Sequence, residues 1–179
     1  MELKELTEKT MEIFGLDEIK NLSSTLLDAC KTNNTTKFQR FEELVEDLSV
    51  DWLQKIFQYY EADRKEKMQD YTPKSLARFM ARLAGDSDTI IDMCAGSGAL
   101  TIQKWNLNHE KKFILYEFDE KVIPFLAFNM MLRNIQCVIY HADVLQGEIF
   151  NVYQINKGTD YGIFKEVNNE HSIDFKSTL

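Results

Sequence analysis

The stretch "DTIIDMCAGSGAL", residues 88–100, decides the fold. An apolar run ends at Asp92, two glycines follow at 96 and 98, and a helix-favouring segment begins. A strand, a glycine loop and a helix in that order hold a small polar ligand beyond the carboxyl end of the strand. Gly96 and Gly98 lack Cβ atoms, so the backbone there can approach a ligand and take positive φ. By itself a Gly-Ser-Gly loop is equally compatible with a simple turn.

The segments on either side give the loop a context. Downstream, "ALTIQKWNL" reads as a helix, "KKFILYEF" as a strand, and "EKVIPFLAFNMMLRN" as a helix started by Asp119. Pro124 belongs in the first turn of that helix, because a deeper proline would break it. "QCVIYHAD" is a third strand. Largely apolar strands separated by helices predict an α/β, Rossmann-like fold whose parallel sheet is covered on both faces. Beyond Val144, "YQI" and "YGIFKEV" have strand character and "NKGTD" is a turn.

Upstream, residues 1–70 read as a helical region, with residues 71–179 as the cofactor-binding domain. "ELTEKTMEIFG" ends on Gly15, a fitting helix terminator. "LDEIKNLSSTLLDACK" and "KFQRFEELVEDL" carry apolar residues at helical spacing, separated by the turn "TNNTT". Asp51 can cap "WLQKIFQYYEADRKEK", where Trp52, Ile56, Tyr59 and Tyr60 predict a core-facing stripe. Thr72 and Pro73 predict a helix start, with Thr72 as the cap and Pro73 at the first helical position, running to Gly85.

The bulk properties exclude several classes. A formal net charge of −8 over 179 residues argues against unaided nucleic-acid binding, which needs a basic surface. Cys30, Cys94 and Cys137 are odd in number and widely spaced, so neither a disulfide framework nor a zinc site is expected. His109, His141 and His171 show no metal spacing. The amphipathic, charged N-terminus is no signal peptide and no apolar run spans a membrane, so a cytoplasmic location is expected.

The strand ends make the ligand more definite. Glu117 stands 19 positions after Gly98 (117 − 98), where a carboxylate can accept hydrogen bonds from both hydroxyls of a ribose. Asp143 closes the third strand and can accept from the exocyclic amine of an adenine. Asp92 closes the first and can bind an ammonium or fix the loop. A dinucleotide fold wants a third glycine, and this chain has Thr101 there. Acidic surroundings resist a pyrophosphate but suit a cation that carries a ribose and an adenine, which describes S-adenosylmethionine.

Four elements in this order resemble the N6-adenine DNA methyltransferases, and in particular the modification subunit of type I restriction systems. The resemblance covers roughly residues 50 to 145. "QDYTP" is similar to that family's segment at the cofactor's methionine end, which implies contacts from Tyr71, Thr72 and Pro73. "DMCAGSGAL" resembles its cofactor loop, which implies Asp92, Cys94, Ala95, Gly96, Ser97 and Gly98 as binding residues. "YEFD" resembles the ribose-binding strand end and implies Glu117 with Phe118. "LAFNMMLRNI" followed by "HADVL" resembles the next helix and the adenine-contacting end, with Asp143 and Val144. The implied fold is the S-adenosylmethionine-dependent methyltransferase fold.

The departure from the family is equally definite. Its chemistry uses an Asn/Asp-Pro-Pro-Tyr/Phe segment that orients the target amine and stacks on a flipped base. The only prolines of this chain, Pro73 and Pro124, are not adjacent, so the segment is absent from these 179 residues. "TDYGIF", Asp160 to Phe164, falls at about the right distance but reads as a loop followed by a strand. Catalytic residues are therefore unassigned, and Cys94, with no histidine near in sequence, reads as a packing residue.

Four readings follow. The first is a DNA adenine methyltransferase of a restriction-modification system that reaches DNA through a partner subunit, a second methyltransferase or specificity chain. The second is an inactive methyltransferase-like module with a binding or regulatory role. The third is a methyltransferase for a different acceptor, and the fourth a nicotinamide-dependent protein. No membrane partner is expected.

Overall fold

The structure is a computed structural model and describes residues 1–60 and 72–167. The helical region begins with α1 (Leu3–Phe14), which ends as its sequence requires: Gly15 takes φ 67° and donates its N–H to the Glu12 carbonyl. A single 3-10 turn (Ile19–Asn21) leads into α2 (Leu22–Lys31). The helix expected across both is thus split. The Asn34 side chain caps α3 (Thr35–Val45) by accepting from the Lys37 N–H at 3.2 Å. Asp51 caps α4 (Trp52–Tyr60) by accepting from the Gln54 N–H at 2.9 Å.

The apolar stripe of α4 is rotated from the expected one. Leu53, Ile56 and Phe57 are buried, whereas Tyr59 is 71% exposed and Tyr60 lies at the surface. Periodicity could not separate the two faces, because aromatic residues occupy both. The next helix, α5 (Lys74–Leu83), also corrects an expectation. Pro73 is its N-cap rather than its first residue, the Pro73 carbonyl accepts from the Ala77 N–H, and Thr72 makes no capping bond.

The sheet holds five strands in the order β1 (Thr89–Asp92), β2 (Lys112–Glu117), β3 (Cys137–Asp143), β4 (Glu148–Asn156) and β5 (Ile163–Val167). β1 to β3 are parallel and are joined through α6 (Ala99–Leu107) and α7 (Ile123–Leu132), while β4 and β5 return as antiparallel hairpins. Pro124 lies in the first turn of α7 as expected; Asp119 sits one turn earlier, where its carboxylate accepts from the Lys121 N–H. The two strand-like segments beyond Val144 are β4 and β5.

The sheet is covered on one face only among the described residues. Phe113, Leu115, Ile139, Tyr153 and Ile155 point into a core shared with α1–α4, α6 and α7. The opposite face gathers Tyr116, Tyr140 and Ala142 with flanking residues from the strands and Val144, and no helix contributes to it. Tyr116, Tyr140 and Ala142 are nonetheless buried. β1 is no buried strand: it is a sheet edge with Ile91 about half exposed. Beside it, α5 packs on α6 and leaves Leu76, Phe79, Met80 and Leu83 between 46% and 63% exposed at i, i+3, i+4 and i+7.

Packing runs across residue 70. All ten residues of α7 are buried, and the helix lies between the sheet and the N-terminal helices. The Phe128 ring stacks on Phe38 at 4.5 Å and meets the edges of Phe14 and Phe41 at 5.5 Å each. Phe128→Ala is expected to cost about 3–5 kcal/mol. Urea denaturation should still show one cooperative transition, because the same ring belongs to both regions.

Candidate cofactor site

The glycine loop is held from three sides. Asp92 Oδ1 accepts from the Cys94 N–H at 3.3 Å and Oδ2 from the Thr101 hydroxyl at 3.5 Å. Of the two roles foreseen for Asp92, the one on view is fixing the loop. The Ala95 N–H donates to the Tyr116 carbonyl on β2 at 2.8 Å. The Gly96 N–H donates to Glu117 Oε2 at 2.8 Å, and the Asp119 N–H donates to Oε1 at 2.7 Å. One carboxylate thus joins the ends of β1 and β2.

Gly96 and Gly98 have φ of 55° and 99°. A Cβ on Gly98 would stand 2.7 Å from Met130 Cε and 3.1 Å from Leu126 Cδ1. The close fit expected of a third glycine is met here by Gly98 itself against α7. Thr101 takes the third position because its hydroxyl serves Asp92.

Asp143 is only half-buried. Its Oδ1 accepts from the N–H groups of Leu145 and Gln146 at 2.9 and 3.0 Å, which shapes the turn into β4, and no bond to Oδ2 is seen. Phe118 is 57% exposed between these carboxylates, 6.4 Å from the Phe150 ring, and offers a flat apolar surface. The ring nitrogens of His141 meet the Phe118 carbonyl and the Asn151 amide. Val144 packs beneath Tyr116 and Tyr140. Thr72 and Pro73 line a cavity of about 410 Å³ with Asp51, Gln54, Lys74, Ala99 and Gln103. Tyr71 lies outside the described residues.

The electrostatics suit a hydroxyl-bearing cation. Burial raises the carboxyls of Glu117 and Asp92 above the usual range, against the bonds that favour their ionised forms. Neither they nor Asp143 takes part in an ion pair among the described residues. A donor set of three carboxylates without a paired cation fits a sulfonium and a ribose and opposes a pyrophosphate. Cys94 is exposed, which corrects its reading as a packing residue. Burial, Glu117 and Asp92 all raise its thiol, so no thiolate nucleophile stands in the loop. The described residues hold no cluster of metal ligands.

Asp51 and Asn129, the partners of Ser97, were not read from the sequence as neighbours of the loop. Ser97 is buried, and its hydroxyl donates to Asp51 Oδ2 at 2.6 Å. Asn129 of α7 donates to Asp51 Oδ1 and to the Ser97 carbonyl, both at 2.9 Å. Asp51 carried a sequence signal as a helix cap; Asn129 carried only its oddness, a lone amide in an otherwise apolar helix. Tyr161, in the segment weighed for catalysis, donates to Glu42 at 2.6 Å and stacks on Phe38, so it ties the β4–β5 turn to α3.

Gly98→Ala should cost about 1–2 kcal/mol from left-handed backbone strain alone. The Met130 thioether is flexible and can retreat, so thermal denaturation should show a folded protein with a lowered midpoint.

No curated protein and no solved structure matches the chain. The N-6 DNA methylase family matches residues 45–168, from the end of α3 through β5. Members of that family use S-adenosylmethionine, and the loop, the acidic strand ends and α7 all lie inside the match. No described helix is long and apolar enough to cross a membrane. The chain belongs to the N-6 DNA methylase family.

Proposed function

We propose that the chain binds S-adenosylmethionine at the glycine loop and contributes that site to DNA adenine methylation carried out together with a partner polypeptide. The single observation that carries the first part is Glu117, whose carboxylate at the end of β2 is oriented beside the glycine loop by the backbone N–H groups of Gly96 and Asp119. A carboxylate there suits the ribose hydroxyls. Phe118 supplies the stacking surface and Asp143 Oδ2 the acceptor for the adenine amine. Asp92 and the neighbouring cavity around Thr72 and Pro73 suit the methionine end. Bound there, the cofactor supplies an electrophilic methyl group; the chain's own residues bind and orient it.

The second part is supported by what adjoins the loop. Cofactor crevices in open α/β sheets form where the strand order reverses, with a strand on each side of the first one. Here, among the described residues, β1 has β2 on one side and no strand on the other. The exposed stripe of α5 and a groove of about 170 Å³ lined by Met80, Ala81, Ile90 and Leu100 run beside that edge. A strand of the partner added there would complete the crevice and bury the stripe. Restriction-modification and a specificity chain fit this reading as its biological setting.

Calorimetric titration tests the binding directly: heat is expected with S-adenosylmethionine, and its absence at millimolar cofactor would sink the reading. Affinity should fall as the pH drops through the raised Glu117 range, because the protonated carboxyl loses an acceptor. Glu117→Gln should weaken binding and flatten that part of the profile. The purified chain alone should transfer no labelled methyl to duplex DNA.

A further inference from the structure

Asp51 does more than a helix cap requires. A cap needs one side-chain oxygen, and capping residues normally sit in water, where Ser, Thr or Asn serve as well. Asp51 is only 6% exposed, and burying a carboxylate is costly unless donors surround it. Here Oδ1 takes the Gln54 N–H and the Asn129 amide, while Oδ2 takes the Ser97 hydroxyl.

We propose that Asp51 is a positioning residue for the cofactor loop, acting through Ser97 to hold Gly96 and Gly98 in their ligand-ready conformation. This rests on the reading of the loop as a cofactor site. Ser97 lies between the two glycines and is gripped at both its hydroxyl and its carbonyl, the latter by Asn129. Its neighbours are the residues with least conformational preference, so the fixed Ser97 limits what they sample. Asn129 is fixed in turn by Arg133, whose Nη1 donates to the Asn129 side-chain oxygen at 2.9 Å. Arg133 also donates to the carbonyls of Leu48 and Val50, at 2.8 Å each, just before Asp51. The turn before α4, the loop and α7 therefore form one connected polar unit. Burial raises the Asp51 carboxyl, and the bonds from Ser97, Gln54 and Asn129, with the charge of Arg133, oppose that rise.

The test is a double-mutant cycle on cofactor affinity. Asp51→Ala and Ser97→Ala should each weaken S-adenosylmethionine binding about tenfold or more. The double variant should lose little beyond either single one, because the second change removes an interaction already broken. Asp51→Asn keeps an acceptor for Ser97 and should recover part of the loss. Leu26→Ala, in the core under α2, serves as a destabilised control that lowers the melting temperature and keeps the affinity. Additive losses, or wild-type affinity in a folded Asp51→Ala, overturn the proposal. If Asp51→Ala does not fold, Asp51→Asn and Ser97→Ala carry the comparison. Hydrogen exchange without cofactor separates the two claims. If the wild type binds no cofactor, the functional reading fails, and faster exchange of the Gly98 amide in Asp51→Asn still supports Asp51 as the loop's anchor. Unchanged exchange there overturns it.

Discussion

An apolar helix with no polar face has to be covered on every side, and α7 imposes that condition on this chain. Its ten residues include one amide and nine side chains that water would repel. The sheet covers only one flank. The N-terminal helices cover the other, with Phe14, Phe38 and Phe41 closing around Phe128. The helical region is therefore part of the same core as the sheet, and the family match beginning at residue 45 agrees with a fold that reaches back into it. The one polar residue of α7, Asn129, is the point at which this packing is passed on to the glycine loop.

The elements that could be read in the sequence were those with a local cause. Gly15 ends α1, Asp51 starts a helix, Pro124 marks a first turn, and β1 to β3 end in Asp92, Glu117 and Asp143. Each rule involves residues within a few positions of one another. What failed depended on neighbours distant in sequence. The exposure of Tyr59 and Tyr60 and the edge position of β1 among the described residues follow from which surfaces find cover. Periodicity reports an amphipathic face and is silent on what meets it.

The candidate site shows the same division. The loop and Glu117 were legible because glycines, an acidic strand end and their spacing carry the signal together. Their actual contact, one carboxylate oxygen on the Gly96 amide, is a product of the β1–β2 register. Asp51 was legible only in its local role. Its bond to Ser97 spans 46 positions, and nothing in the intervening sequence announces it. Cys94 was misjudged for a related reason: small residues flank it, yet the loop turns its side chain outward rather than into the core.

The free edge of β1 has a consequence for how the chain behaves in solution. Unpaired strand edges invite pairing with further copies, the usual start of aggregation. This edge is only four residues long and is bounded by acidic side chains, with Asp88 before it and Asp92 at its end. Antiparallel association of two copies would set the carboxylates at one end against those at the other. Repulsion of that kind, added to a net charge of −8, opposes self-association along this edge, while a strand lacking such carboxylates would meet no such penalty.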